Sequence, residues 1–470
     1  MNSLRLAPLL TVARLRRRRG DAWLDLLAVA SFALGALLAL TVAGGIWMFY
    51  TWESNPSSEM ISHVRNALGD YVADGSEIFI LGGYLDLALL AGALLVLPIF
   101  SLGASAARLG AHGRAARLAS LRLVGASGGE VVSISVLETA IQWIVGALIG
   151  TATYFLSLPA WANVQFVGRH IDPTQMVLPP SILFVVLGMA LVISLISTIA
   201  GLRRVRISPL GVAHNEAGPI MRHWRPLVFA TTIVVIVLWF SYGGGVDITL
   251  RSRVMVTAFL VMFVMGTISL VGPWVLQLVA LALTRTRFPS LLIAVRRILD
   301  NPRTAWNTVS AITLLSFITG AVALIPSVTS ISAGEMITRD VSTGLLITLG
   351  FGFTVAALSA LMNQASLVFD RAAQTAALSQ VGFPISFFGR TRFIQSIGPL
   401  VLTVAFSLGT GFFLSFSIMK GGGMEAELMD SSVIRTGIVV GAGILTCMGA
   451  IALCEPLERH VLANMRRMND

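Results

Sequence analysis

Chemistry driven by ATP needs a glycine-rich loop whose backbone amides cradle the phosphates and a lysine that reaches the β- and γ-phosphates. The 470-residue sequence has one lysine, Lys420, directly before Gly421, Gly422 and Gly423, and no GxxxxGK[ST] occurs anywhere. The chain therefore carries no P-loop, and ATP-driven work would require a site on another subunit. Gly125-Ala126-Ser127-Gly128-Gly129 satisfies the G-x-S-x-G nucleophile pattern, which does chemistry only on the strand–turn–helix of an α/β-hydrolase sheet. Between two apolar runs it reads as a turn after a helix. The six histidines are scattered without HExxH or paired-cysteine spacing, so no metal centre is expected. Cys447 and Cys454 lie about 10 Å apart along a helix, too far for a bridge, and read as small buried hydrophobes.

Two carboxylates fall inside apolar runs, where charge is costly and frequently functional. Asp86 sits near one end of its run, and Glu138 shares a helical face with Gln142, one turn along. Each could serve a proton relay or a polar cargo. The favoured reading, more so for Glu138, is a polar residue bonded between helices near the membrane edge, and no second acid at matching depth completes a transporter-like relay. Gly146-x-x-x-Gly150 and Gly437-x-x-x-Gly441 permit close helix approach, which is packing rather than chemistry.

The most informative residues form an internal repeat. Residues 114–125 read RAARLASLRLVG and residues 371–382 read RAAQTAALSQVG, identical at seven of twelve positions at an offset of 257. In the first copy Leu118, Leu121 and Val124 recur every third residue among Arg114, Arg117 and Arg122. This predicts a short amphipathic helix stopped by Gly125. Arg371, Leu378, Val381 and Gly382 are the matching positions of the second copy. Such a helix either docks a cytoplasmic partner or lies on the anionic inner leaflet. Duplication favours docking, because two copies suit a two-fold partner.

The elements that must position these residues follow from composition. Hydrophobic residues make up 56% of the chain and charged residues 12%, against about 25% charged in soluble domains. An ordinary soluble enzyme is excluded. Apolar runs near 23–50, 78–105, 133–157, 179–202, 227–243, 254–283, 307–327, 342–366, 391–418 and 433–454 predict an all-α integral membrane protein of about ten transmembrane helices. The first run is too long for a secretory signal core, and the preceding 4–15 stretch suits the membrane surface. With ten spans, 26 of the 33 basic residues fall on the side shared by both termini. That asymmetry places the termini in the cytoplasm of a multi-pass cell-membrane protein. It also accounts for the net charge of +10 without nucleic acid. Outer loops are too short for a large extracytoplasmic domain, and the longest, 51–77, is acidic with room for one helix or a hairpin.

A weaker match pairs Val12, Arg14, Ala22 and Trp23 with Val295, Arg297, Ala305 and Trp306 at offset 283, which puts 26 extra residues in the first copy, most simply in loop 51–77. The chain thus divides into two four-span repeats of the same direction, 1–213 and 285–470, joined by a two-span insert at 214–284.

Residues 114–150, RAARLASLRLVGASGGEVVSISVLETAIQWIVGALIG, resemble the FtsX-like permease family, membrane subunits of the MacB/LolCDE/BceAB class of ABC systems. The likeness lies in a cytoplasmic loop followed by a span with an early glutamate, Glu138, and spaced glycines, Gly146 and Gly150. In the second copy Gln395 replaces the glutamate, and Thr403 and Ser407 replace the glycines. Residues 291–306, LLIAVRRILDNPRTAW, resemble the segment that leads into a family repeat. The resemblance implies a permease that binds no cofactor itself and is driven by a separate cytoplasmic ATPase, two copies per permease, which holds ATP and Mg. It implies export or expulsion of an amphipathic or hydrophobic compound, such as a peptide antibiotic or lipid. The alternative is an ATP-driven signalling module acting on an outside cell-wall enzyme or sensor kinase without transport. Unlike many relatives, this chain has no large extracytoplasmic domain.

Overall fold

Each of the ten apolar runs falls on a helix over its described residues, as it must where no water can satisfy the backbone. The computed structural model describes residues 19–68, 77–123, 127–207, 224–242, 250–322, 334–370, 385–421 and 429–453. The helices are α1 (Arg19–Ser54), α2 (Ser58–Leu68), α3 (Glu77–Leu123), α4 (Gly128–Ser157), α5 (Pro180–Ile207) and α6 (Trp224–Tyr242). They continue with α7 (Leu250–Ala282), α8 (Pro289–Asp300), α9 (Pro302–Ala321), α10 (Gly334–Asp370), α11 (Ile385–Gly421) and α12 (Met429–Ala452). Among the described residues, seven helices are long and apolar enough to cross a bilayer: α1, α3, α4, α5, α7, α10 and α11. The remaining runs lie on the shorter apolar helices α6, α9 and α12. Large apolar side chains such as Leu148, Leu156, Phe184, Met189, Phe259 and Leu445 are exposed on the outside of the bundle. Apolar side chains exposed on helices long enough to span suit hydrocarbon, and the chain is a multi-pass membrane protein.

Two helix groups share one packing scheme. In the first, α1 packs on α3 and α4, and α3 packs on α5; in the second, α9 packs on α10 and α11, and α10 packs on α12. The groups meet where α3 lies along α10, while α6 and α7 join the second group. Gly146 and Gly150 explain the tight α1–α4 contact, because a Cβ on Gly146 would stand 2.6 Å from the Phe32 Cβ and one on Gly150 2.8 Å from that of Ala36. The α9–α11 contact holds where the glycines are replaced: the Thr313 hydroxyl donates to Thr403 Oγ1 at 2.8 Å, and Ser407 donates to the Thr313 carbonyl. Gly437 and Gly441 behave otherwise. Among the described residues nothing lies within 4 Å of a Cβ at either position, so no helix described makes the close approach there that the spacing permits.

The face where α1 ends and α3 begins is termed distal; the opposite face, where α3 ends, is proximal. The acidic distal loop holds α2, which seats Met60 and Val64 inward and leaves Glu59 exposed. The distal segment between α4 and α5 departs from the all-helical expectation. It forms a small antiparallel hairpin, β1 (Gln165–Phe166) with β2 (Arg169–His170). Its two turn residues, Val167 and Gly168, have φ of 56° and 70°. Consecutive positive φ values are what a two-residue hairpin turn demands, though a β-branched residue rarely supplies one. On the proximal face α8 is amphipathic, burying Ala294, Val295 and Ile298, and Asn301 caps α9 by accepting from the Thr304 amide at 3.2 Å.

Candidate site at the seam between the helix groups

The repeated segments predict where a partner would dock, and the structure shows what they hang from. Residues 114–123 do not form a separate short helix: they are the last turns of α3, which runs unbroken for 47 residues. At 1.5 Å per residue that helix is about 70 Å long, more than twice the roughly 30 Å hydrocarbon core. The correction has a simple cause, since nothing between Ala106 and Arg114 breaks a helix except two glycines, which helices tolerate. Backbone helix therefore includes Arg114, Arg117, Leu118, Leu121 and Arg122, whereas Val124 and Gly125 lie outside the described residues. Ser127 then starts α4 with a capping box: its hydroxyl accepts from the Glu130 amide at 3.3 Å, and the Glu130 carboxylate accepts from the Ser127 amide at 2.9 Å. Those bonds hold the Glu130 carboxyl below its ordinary value. The formal G-x-S-x-G serine is thus a helix cap. Arg371, Leu378, Val381 and Gly382 lie outside the described residues, as do the 4–15 stretch and Cys454, but α10 ends at Asp370, directly before the second copy.

The two helices that lead into the repeated segments are packed side by side. Near the proximal face Leu109 is buried with Met362 and Ala365; midway Leu102 is buried with Val355. At the distal end the Tyr84 phenol donates to Asp340 Oδ2 at 2.7 Å. The same oxygen accepts from the Val167 amide at 2.7 Å, so the hairpin turn, the first group and the second group converge on one carboxylate. Asp340 is 3% exposed. Asp340 thus lies opposite Tyr84, two residues before Asp86 on α3, and is an acid that does not stand out in the sequence. It was hidden because it precedes the apolar run beginning near 342, while the spanning segment begins at Arg339.

Beside this carboxylate a cavity of about 190 Å³ opens between α1, α3, α10 and the hairpin. Its lining is almost wholly apolar and rich in rings: Phe49, Tyr84, Trp161, Phe166 and Phe351. Phe49 stacks on Tyr84 at 6.0 Å and meets Phe166 edge-on at 5.5 Å. Tyr154, buried in the same hydrophobic cluster, donates to the carbonyl of Met176, itself a lining residue.

The other predicted polar residues lie elsewhere. Asp86 is buried in α3 but does not line the cavity. Glu138 is buried in α4 beside Ser135 and Thr139, and Thr198 of α5 donates to Thr139 at 3.3 Å. Gln142 donates to Asp25 of α1 at 2.8 Å, an acid that the sequence reading passed over because it lies at the start of the first run. Gln395 precedes Ser396, which accepts from Gln364 of α10 at 2.8 Å. Cys447 is fully buried. Among the described residues no cluster of His, Cys, Asp and Glu could hold a metal.

Comparison with known proteins agrees with the resemblance read at 114–150. Residues 89–209, from the first third of α3 to just past α5, match the family model described as FtsX-like permease C-terminal. No curated protein and no solved structure matches the chain.

Proposed function

We propose that this chain, which carries an FtsX-like permease domain, is the membrane subunit of an ABC-type transporter. It expels an amphipathic or hydrophobic compound under the drive of a separate ATPase. In this reading the proximal face is cytoplasmic, where two ATPase copies holding ATP and Mg engage residues 114–125 and 371–382. The observation that carries it is the seam. Helices α3 and α10 pack along one another, each runs directly into one copy of the repeated segment, and their far ends wall the distal cavity. A packed helix pair transmits a sliding or rocking displacement along its length, because close-packed interfaces shift between discrete arrangements rather than deform. Closure of an ATPase dimer would then move both helices and change the cavity's width. Support for the two-repeat division comes from the duplicated packing scheme of the two groups. It comes also from α8, whose place before α9 matches that of the 4–15 stretch before α1.

The test is co-purification. The tagged chain is expected to retain an ATPase subunit, and Leu121→Asp together with Leu378→Asp to release it. Retention despite both changes sinks the docking assignment. Stimulation of the retained ATPase by candidate compounds would then identify the cargo class.

A second reading, signalling without transport, draws on α2. This helix stands on the distal face with Glu59 exposed and 4.0 Å from Arg169 of the hairpin. An outside partner on α2 would sense motion at the seam. Removal of 58–68 should then abolish the outside response while ATPase activity persists.

A further inference from the structure

The distal cavity combines two features that point to one ligand chemistry. The first is a carboxylate out of water. Asp340 is 3% exposed, one of its oxygens accepts from Tyr84 and Val167, and Arg339, its neighbour in sequence, acts on it from an exposed position. Two neutral donors and an exposed, solvent-screened guanidinium soften the cost of burying an anion but do not neutralise it. The second is the set of rings around that carboxylate. Phe49 contacts both Tyr84 and Phe166, and all three line the same cavity as Asp340, supplying π-systems, whose faces attract cations. Beyond them the walls are aliphatic, with Leu87, Leu94 and Ile347 among the lining residues.

We infer that the cavity between α3 and α10 binds an amphipathic monocation, a substituted ammonium on a single aliphatic tail. The head lies against Asp340 and the Phe49–Tyr84–Phe166 rings, and the tail lies along the seam. An anion would face the carboxylate, and a neutral polar head would gain little from an almost wholly apolar wall. An ammonium completes the charge and exchanges its hydration for ring faces. This assignment rests on the permease reading only in naming the cavity's occupant as cargo; binding itself needs no ATPase.

The experiment uses the full chain in nanodiscs of neutral phospholipid and radiolabelled decyltrimethylammonium as probe, with empty nanodiscs subtracted. Saturable binding at one site per chain is expected. Asp340→Asn should weaken it at least roughly tenfold, the loss that follows from removing a charge-assisted partner. Gly344→Leu, which fills the cavity from α10 and leaves the carboxylate in place, should abolish it. Decanol, with the same tail and no charge, should compete at least roughly tenfold more weakly than the unlabelled cation, by the same loss of a charged partner. Absence of saturable binding, binding by Gly344→Leu equal to wild type, or equal competition by decanol overturns the assignment. Full binding by a folded Asp340→Asn chain does so too. Should Asp340→Asn fail to fold, the other two arms still decide. A binding failure leaves the docking test of the permease reading intact, and loss of the ATPase subunit leaves this measurement intact.

Discussion

The phenol of Tyr84 on α3 donates to the carboxylate of Asp340 on α10 at 2.7 Å, and the two residues stand 256 positions apart in the chain. The repeated segments are offset by 257. Residues separated by nearly that offset thus face each other across the seam, as Leu109 and Ala365 also do, and here a phenol on α3 meets a carboxylate on α10. The Val167 amide of the hairpin turn donates to the same carboxylate oxygen.

Tyr84→Phe deletes one of the two donors to a buried carboxylate and leaves the ring packing in place. A hydrogen bond to a charged group contributes roughly 1.5–3 kcal/mol, so unfolding in detergent should show a loss of about that size. Paired with Asp340→Asn in a double-mutant cycle, the two changes should be less than additive by at least about 0.5 kcal/mol, as residues in one network are. Strict additivity would mean that the phenol and the carboxylate do not act together.

Glycine spacing separates two positions that look alike in sequence. A Cβ on Gly146 would meet the Phe32 Cβ at 2.6 Å and the Val29 carbonyl at 2.9 Å, whereas Gly437 has nothing within 4 Å. Gly146→Val must push α1 from α4, and overpacking of this kind costs roughly 1–3 kcal/mol. Gly437→Ala should be neutral or slightly stabilising, because alanine is the better helix former. Thermal unfolding of both variants in one detergent checks the contrast, and equal effects would contradict it.

That contrast also marks what the sequence could reveal. Helical runs were legible because lipid leaves the backbone no other choice, and all ten appear as helices. Register between helices was not, since GxxxG records only the capacity for close approach: Gly146 uses it and Gly437 does not. The end of α3 was misread because amphipathic spacing at 114–124 describes one helical face without saying whether the helix continues from the span before it. Asp340 escaped notice for a third reason. An acid flanking an apolar run is ordinarily a solvated cap, and only the tertiary fold brings Tyr84 and the Val167 amide onto it. The hairpin has too few residues and too unusual a turn residue, Val167 at φ 56°, for strand patterning to detect.

At the proximal start of α4 the Glu130 carboxyl is held below its ordinary value, chiefly by accepting the Ser127 amide and then by the Ser127 hydroxyl. A carboxyl depressed in the folded state stabilises that state above its unfolded pKa and loses the effect as pH falls through the folded pKa. Protection of the first α4 amides from hydrogen exchange should therefore be full at neutral pH and decline below the usual carboxylate range. Glu130→Gln, which removes the titrating group, should abolish this dependence, while Ser127→Ala, which keeps the residue-127 amide, should lower protection at neutral pH and weaken the dependence only in part. A pH profile unchanged in Glu130→Gln would assign the dependence to something other than the cap.

The unbroken course of α3 gives the coupling proposal a geometric test. Displacement passes from residues 114–123 to the cavity wall at Tyr84 only if the helix between them holds its phase. Insertion of one alanine after Gly110 leaves the helix intact but turns everything beyond it by about 100°, while four alanines turn it by only about 40° and lengthen it by about 6 Å. Leu109, buried with Met362 and Ala365, anchors the helix just before the insertion, so the seam itself should remain packed. The single insertion is expected to abolish compound-stimulated ATPase activity in the reconstituted complex. The four-residue insertion should restore part of it, because the backbone of residues 114–123 regains nearly its original helical phase. If both insertions retain full stimulation, α3 is not the element that carries motion between the two faces; if both lose it equally, length rather than phase is what the partner reads.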